Sequence, residues 1–175
     1  MTPQVPSVRR AERRDLLRMC EILNQSILAQ DATMDTEPKS LAEWEAMWDH
    51  MVFPEAFWVL DVDEMVYGWA QLKQWSPKPG YRHSCETSIY LDRHQTGKGW
   101  GTMLQTALQQ YGTECGIRHL VARIWRTNKG SIRFHERFGY RVVGVQEQVG
   151  CMGGVWQDVV ILQNLLPTDL PYVRS

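Results

Sequence analysis

The sequence lacks any long apolar run; its hydrophobic stretches last only a few residues, far short of the roughly 20 a membrane-spanning helix needs. Charge of either sign is not in surplus. Nineteen Lys and Arg stand against 20 Asp and Glu, for a net charge of −1, so no overall positive field points to nucleic acid or an anionic membrane. The opening residues, MTPQVPSVRRAERRD, have no secretory h-region, and a cytoplasmic protein is expected. Cys20, Cys85, Cys115 and Cys151 show no CxxC spacing, and no two of the five histidines stand four apart. Those absences argue against zinc and for free thiols, mostly small core residues, with no metal site. Repeats and low-complexity linkers are also missing. One domain over residues 1–175 is therefore expected, with residues 165–175 as a tail.

What is present reads as a globular chain: 43% apolar and 22% charged residues. Eight tryptophans are assigned first to packing, because indole buries a large apolar area. Residues 5–9 suggest a short strand. Over residues 12–29, Leu16, Met19, Cys20, Leu23 and Ile27 recur at helical steps. Ser40 with Glu43 forms a capping-box pattern ahead of a second helix that buries Leu41, Trp44 and Trp48. Residues 57–60 and 65–72 read as a hairpin across the acidic turn 61–64, and residues 85–91 as the next strand. A Gly-rich loop follows, then a helix striped by Trp100, Met103, Leu104, Ala107, Leu108 and Tyr111 and ended by Gly112 or Gly116. A strand at 120–125, a short helix at 130–137 and an antiparallel pair at 140–149 and 155–162 complete the order. The fold class expected is α/β (α+β), with a mixed, largely antiparallel sheet flanked by helices.

Residues 96–102, TGKGWGT, sit between a strand and an amphipathic helix. Three glycines let the backbone approach an anion closely, and the unpaired N–H groups at the helix start would face it. The loop has neither the GK[ST] ending of a P-loop nor the spacing of a dinucleotide fold, so alone it marks only an anion site.

The loop resembles motif A of the GNAT superfamily of N-acetyltransferases, with Thr96 where Gln or Arg is usual. Downstream, NxxSxxxHExxGY from Asn128 to Tyr140 resembles motif B. Residues 22–38, 68–91, 131–140 and 153–163 extend the similarity to the phosphinothricin and methionine sulfoximine N-acetyltransferase branch. That resemblance implies a GNAT-like acyltransferase fold, acetyl-CoA as cofactor, a small-molecule amine substrate and a homodimer. It implies that Ile89, Tyr90 and Leu91 present strand backbone to the pantetheine and acetyl group. Gly97, Lys98, Gly99, Trp100, Gly101 and Thr102 would hold the pyrophosphate, and Asn128 and Ser131 the cofactor's arm. The acceptor would lie between Trp75, Ser76, Pro77 and Lys78 on one side and Glu86, Thr87 and Ser88 on the other. Ser76 stands where the amino-acid-acetylating relatives usually carry Arg, the natural bidentate partner of a carboxylate; Lys78 or Arg82 are the candidates to supply that charge.

Acetyl transfer by direct attack needs an amine stripped of its extra proton, a polarised thioester, oxyanion donors and a proton for the thiolate. Glu86 is the candidate base, directly or through a water; a carboxylate with an ordinary pKa of about 4 needs burial or a relay to serve an ammonium. Its plain alternative is a strand residue paired with Arg82 or His83. His135 occupies the position where many GNAT enzymes have a general-acid Tyr. A free imidazole titrates at about pH 6.5; the alternative is a helix histidine bonded to backbone. The N–H groups around Tyr90 and Leu91 are the candidate oxyanion donors. Trp75 and Trp156 are pocket candidates, and Trp100 is expected to pack under the loop. Cys85 has no histidine at fixed spacing and is not read as a nucleophile. Other readings keep the fold with a protein N-terminus, polyamine or antibiotic as acceptor, or make the chain a non-catalytic acyl-CoA sensor.

Overall fold

In the computed structural model, which describes residues 5–171, the elements follow the expected order. They are β1 (Ser7–Arg10), α1 (Leu16–Ala29), α2 (Leu41–Asp49), β2 (Ala56–Val62), β3 (Met65–Gln74) and β4 (Ser84–Leu91). After these come α3 (Trp100–Glu114), β5 (His119–Trp125), α4 (Lys129–Arg137), β6 (Arg141–Met152) and β7 (Val155–Leu165). The seven strands form one sheet in the order β1-β2-β3-β4-β5-β7-β6. All neighbours are antiparallel except β4 with β5.

Local chemistry accounts for the element ends. Ser40 Oγ accepts from the Glu43 N–H, and Glu43 Oε2 accepts from the Ser40 N–H at 2.8 Å, closing the capping box that starts α2. The β2–β3 hairpin turns at Asp63 and Glu64, both with positive φ, as a two-residue turn of the I′ type requires.

The sheet has a core on each face. On one, α1 and α2 bury Leu16, Met19, Ile22 and Trp44 against Phe57, Val59 and Trp69. On the other, Leu104 and Leu108 of α3 pack on Leu60, Leu72, Cys85, Leu120 and Leu162. Strand alternation divides β4 between them: Cys85, Ile89 and Leu91 face α3, whereas Tyr90 faces α1 and α2.

Several details differ from the sequence reading. Leu41 is exposed and Trp48 only half-buried, so Trp44 alone anchors α2 deeply. Gly112 does not end α3; it is buried within the helix where Leu166 packs against it, and the chain leaves the helix at Cys115 and Gly116. β7 continues to Leu165, and buried Leu166 donates its N–H to Arg118 O at 2.8 Å. The expected tail thus begins inside the fold, and its last residues, 172–175, lie outside the described ones, as do residues 1–4 at the other end.

Candidate active site

β4 and β5 pair only from Ser84 to Glu86, against His119 to Val121. Beyond that, β5 keeps its partner β7 as far as Trp125, and β4 keeps β3 as far as Leu91. The two strands therefore part after Glu86. The edge of β4 that carries Thr87 to Leu91 turns unpaired backbone groups into the wedge, and such groups require a partner.

The loop leaving β4 leads into α3. Asp92 donates its N–H to Tyr67 O, accepts from the His94 N–H, and forms an ion pair with Arg18 of α1. Burial pushes the Asp92 carboxyl up, but the His94 N–H and the Arg18 charge outweigh it and hold the group below the usual carboxylate range. Gly97 and Gly99 have φ of 81° and 76°, a conformation that side chains with Cβ rarely adopt. Gly99 is the N-cap of α3 and brings no side-chain cap; the Thr102 N–H turns back to Gly99 O at 3.1 Å, so the N–H groups of Trp100 and Gly101 are the ones open to an anion. Lys98 Nζ bonds Gln95 and stands 4.6 Å from the centre of the Trp100 ring. Trp100 packs on Tyr67 beneath the loop, as expected, and Thr102 is exposed in the first helical turn. Across the wedge, Asn128 caps α4 by accepting the Ser131 N–H at 3.0 Å.

On the opposite face of the sheet lies a cavity of about 800 Å³. Its floor consists of cross-strand pairs: Trp69 with Tyr90, Gln71 with Ser88, and Lys73 with Glu86. Arg123 and Trp125 of β5, Asp35, Lys39 and Glu43 around the start of α2, and Gln146, Val149 and Gly150 of β6 stand among its walls. Arg123 binds Glu86 side-on, Nε to Oε1 at 2.7 Å and Nη2 to Oε2 at 3.0 Å. The partners expected for Glu86 are engaged elsewhere: Arg82 reaches the carbonyl of Pro79, and His83 Nδ1 the carbonyl of Gly116.

Of the acceptor residues expected from sequence, Glu86 and Ser88 line this cavity. Thr87 does not. The pleat turns it to the α3 face, where it is buried, donates to Val121 O and meets Tyr140 Oη at 3.1 Å. Trp75, Ser76, Pro77, Lys78 and Arg82 also lie outside the lining, in the turn that joins β3 to β4, and Trp75 is 43% exposed there. Trp156 is 63% exposed on β7 and likewise not in the lining. The sequence reading missed Gln71, Lys73 and Arg123. The first two share a face with Trp69 by simple alternation, a signal available along β3. The role of Arg123 depends on a parallel register that no local pattern reveals.

His135 is buried on α4. Its Nδ1 lies 2.8 Å from Ser131 O, and its ring meets Tyr140 edge-on at 5.1 Å. Burial pushes its pKa below the usual 6.5, more strongly than the Ser131 carbonyl raises it, so the ring is neutral at pH 7. Because Tyr140 belongs to the α3-side core, His135 and Glu86 stand on opposite faces of the sheet.

A wedge between two strands, a glycine-rich helix start at its mouth and a cavity across the shared strand define an acyltransferase with a phosphate-bearing acyl carrier. The sequence model of the acetyltransferase (GNAT) domain matches residues 8–161. The chain belongs to the GNAT acetyltransferase family. It is 33% identical over 166 residues to the L-methionine sulfoximine/L-methionine sulfone acetyltransferase of Pseudomonas aeruginosa, covering 93% of this chain and 96% of that one. The phosphinothricin N-acetyltransferase of Streptomyces viridochromogenes is 28% identical, over 90% of this chain and 86% of that one. Among solved structures, the GNAT superfamily phosphinothricin acetyltransferase of Sinorhizobium meliloti, in complex with acetyl-CoA, superposes with a TM-score of 0.87 at 29% identity. That match covers 92% of this chain and 88% of the other. The protein is an N-acetyltransferase and acetyl-CoA is its donor.

Proposed function

We propose that the protein acetylates the amine of a small amino acid or analogue, of the methionine sulfone or phosphinothricin type, by direct attack in a ternary complex. The observation that carries this reading is the double role of β4: one edge opens into the wedge beside the Gly loop, and one face floors the cavity with Glu86 and Ser88. The names of the relatives support the acceptor class.

Acetyl-CoA supplies an activated thioester carbonyl. The residues from Gly97 to Thr102 would hold its pyrophosphate, chiefly through the open N–H groups of Trp100 and Gly101 at the start of α3, with Lys98 adding charge. Ile89, Tyr90 and Leu91 would offer strand backbone to its arm, and Asn128 and Ser131 would stand on the far wall. The N–H groups of Ile89 and Leu91, which turn away from β3, would serve as oxyanion donors, since Tyr90 pairs with Trp69 in the same bonded phase of the ladder as Asp92 with Tyr67. Glu86 takes the amine proton, directly or through a water. Arg123 occupies one side of that carboxylate, and an ionised carboxylate has about four lone-pair sites, so acceptor sites remain toward the cavity. A neutral His135, already donating to Ser131, is poorly suited to protonate a thiolate; we assign it to holding α4 in place. The reading includes a cytoplasmic homodimer, supported by the resemblance and by the exposed Val143, Val145, Val149 and Trp156 on the β6–β7 arm.

The test is thiol release from acetyl-CoA with a panel of amines, followed by mass spectrometry of the products. Turnover that depends on methionine sulfone or phosphinothricin is the expected result. Acetylation of peptides or polyamines alone would overturn the acceptor class, and binding of acetyl-CoA without turnover of any amine would overturn catalysis.

A further inference from the structure

The cavity floor is graded. At one end Trp69 and Tyr90 pair with ring centres 4.8 Å apart, in the middle Gln71 faces Ser88, and at the other end Lys73 faces Glu86. On the far side of Glu86, Arg123 takes both carboxylate oxygens. The charged end therefore holds two cations and one carboxylate, and that carboxylate is bound to Arg123 rather than to the lysine directly across from it. Elsewhere in the lining, Asp35 pairs with Lys39 at 3.1 Å and Glu43 closes the Ser40 cap. Among the described residues Lys73 faces the cavity with no carboxylate partner.

We propose that Lys73 anchors an acidic group on the acceptor, making the site selective for amines that carry a carboxylate. The proposal rests on the reading of this cavity as the acceptor site. An α-amino acid holds its ammonium and its carboxylate on one carbon. Directly opposed side chains on neighbouring strands start about 5 Å apart at Cβ, so a zwitterion laid across the Lys73–Glu86 pair meets a charge of opposite sign at each end. The ammonium of Lys73, on a flexible four-carbon stem, reaches its partner from the strand itself. The charge assigned from sequence to the loop after Trp75 is thus supplied from two residues before it. Gln71 and Ser88 then contact the polar part of the acceptor's side chain, and the aromatic pair its apolar part.

The test compares methionine sulfone with methionine sulfone amide, in which the carboxylate is masked, using acetyl-CoA and the purified protein. Wild type is expected to prefer the acid by about 10-fold or more in kcat/KM, the usual size of a lost hydrogen bond to a charged group. Lys73→Met is expected to remove that preference by raising KM for the acid, with the amide and the KM for acetyl-CoA unchanged; Lys73→Arg is expected to retain most of the preference. An equal loss on both acceptors, or no loss on either, overturns the anchor. Equal use of acid and amide by wild type does so without any variant. If wild type acetylates no α-amino acid at all, the underlying reading of the cavity fails, and the anchor with it.

Discussion

Arg123 and Glu86 close the gap between β4 and β5 with two hydrogen bonds of 2.7 and 3.0 Å, at the point where backbone pairing between the strands ends. Arg123 is 54% exposed, so the pair adds little to stability, at most about 1 kcal/mol. Its effect is to hold one carboxylate at the edge of the cavity in a single orientation. Glu86→Gln should therefore fold normally and bind acetyl-CoA with little change, while kcat falls by about 100-fold or more, the scale of general-base catalysis. Steady-state kinetics with a melting curve checks this; a kcat near that of wild type removes Glu86 from the chemistry.

The glycine-rich loop and its helix were legible because their signals are local: glycines where φ is positive, and an apolar stripe at helical spacing after them. The capping box at Ser40 and the acidic hairpin turn were legible for the same reason. The acceptor side was not. Glu86, Thr87 and Ser88 read as one block, yet the pleat sends Thr87 to the opposite core. Arg123 lies 37 residues from Glu86, and only the parallel register of β4 and β5 brings them together. Lys73 lies one residue past the expected strand end at 72, in what proves to be the last part of β3, and its meaning comes from what stands across from it.

At Gly99 the loop's shape depends on the backbone and not on crowding. A Cβ there would meet nothing within 4 Å, but φ is +76°, a genuine outlier for a β-branched residue. Gly99→Val should rearrange the start of α3 and weaken acetyl-CoA binding by about 10-fold or more, for a strain of order 1–2 kcal/mol. Isothermal titration calorimetry is the measurement, and unchanged affinity would show that the loop does not hold the pyrophosphate.

His135 should make stability depend on pH. Its pKa in the fold is below the unfolded value of about 6.5, with burial the main cause. As pH falls through that value the unfolded chain takes up a proton that the folded chain resists. The stabilisation is thus complete above about pH 6.5 and is lost as pH drops toward the folded pKa, by no more than about 1.4 kcal/mol per pH unit. Urea denaturation at pH 7.5 and 5.5 should show a loss for wild type that shrinks in His135→Gln. A variant with the full loss would place its origin in other groups.

Gly68 ties the sheet to the strand end that leads into the glycine-rich loop. It lies opposite Leu91, the last residue of β4, and a Cβ there would stand 2.4 Å from Leu91 Cδ2, 3.0 Å from Tyr90 O and 3.3 Å from Leu104 Cδ1. The Leu91 side chain can swing away, but the Tyr90 carbonyl is part of the strand. Gly68→Ala should therefore force β3 and β4 apart locally at a cost of about 1–3 kcal/mol, as overpacking of a tight core does. For a chain of this length that corresponds to a fall in Tm of roughly 2–12 °C. Because Asp92 and the Gly loop follow directly on Leu91, affinity for acetyl-CoA should fall along with Tm. Gly80→Ala is the control: a Cβ there meets nothing within 4 Å, and its stability should stay within about 0.5 kcal/mol of wild type. Equal melting of the two variants would mean that the β3–β4 contact relaxes without strain.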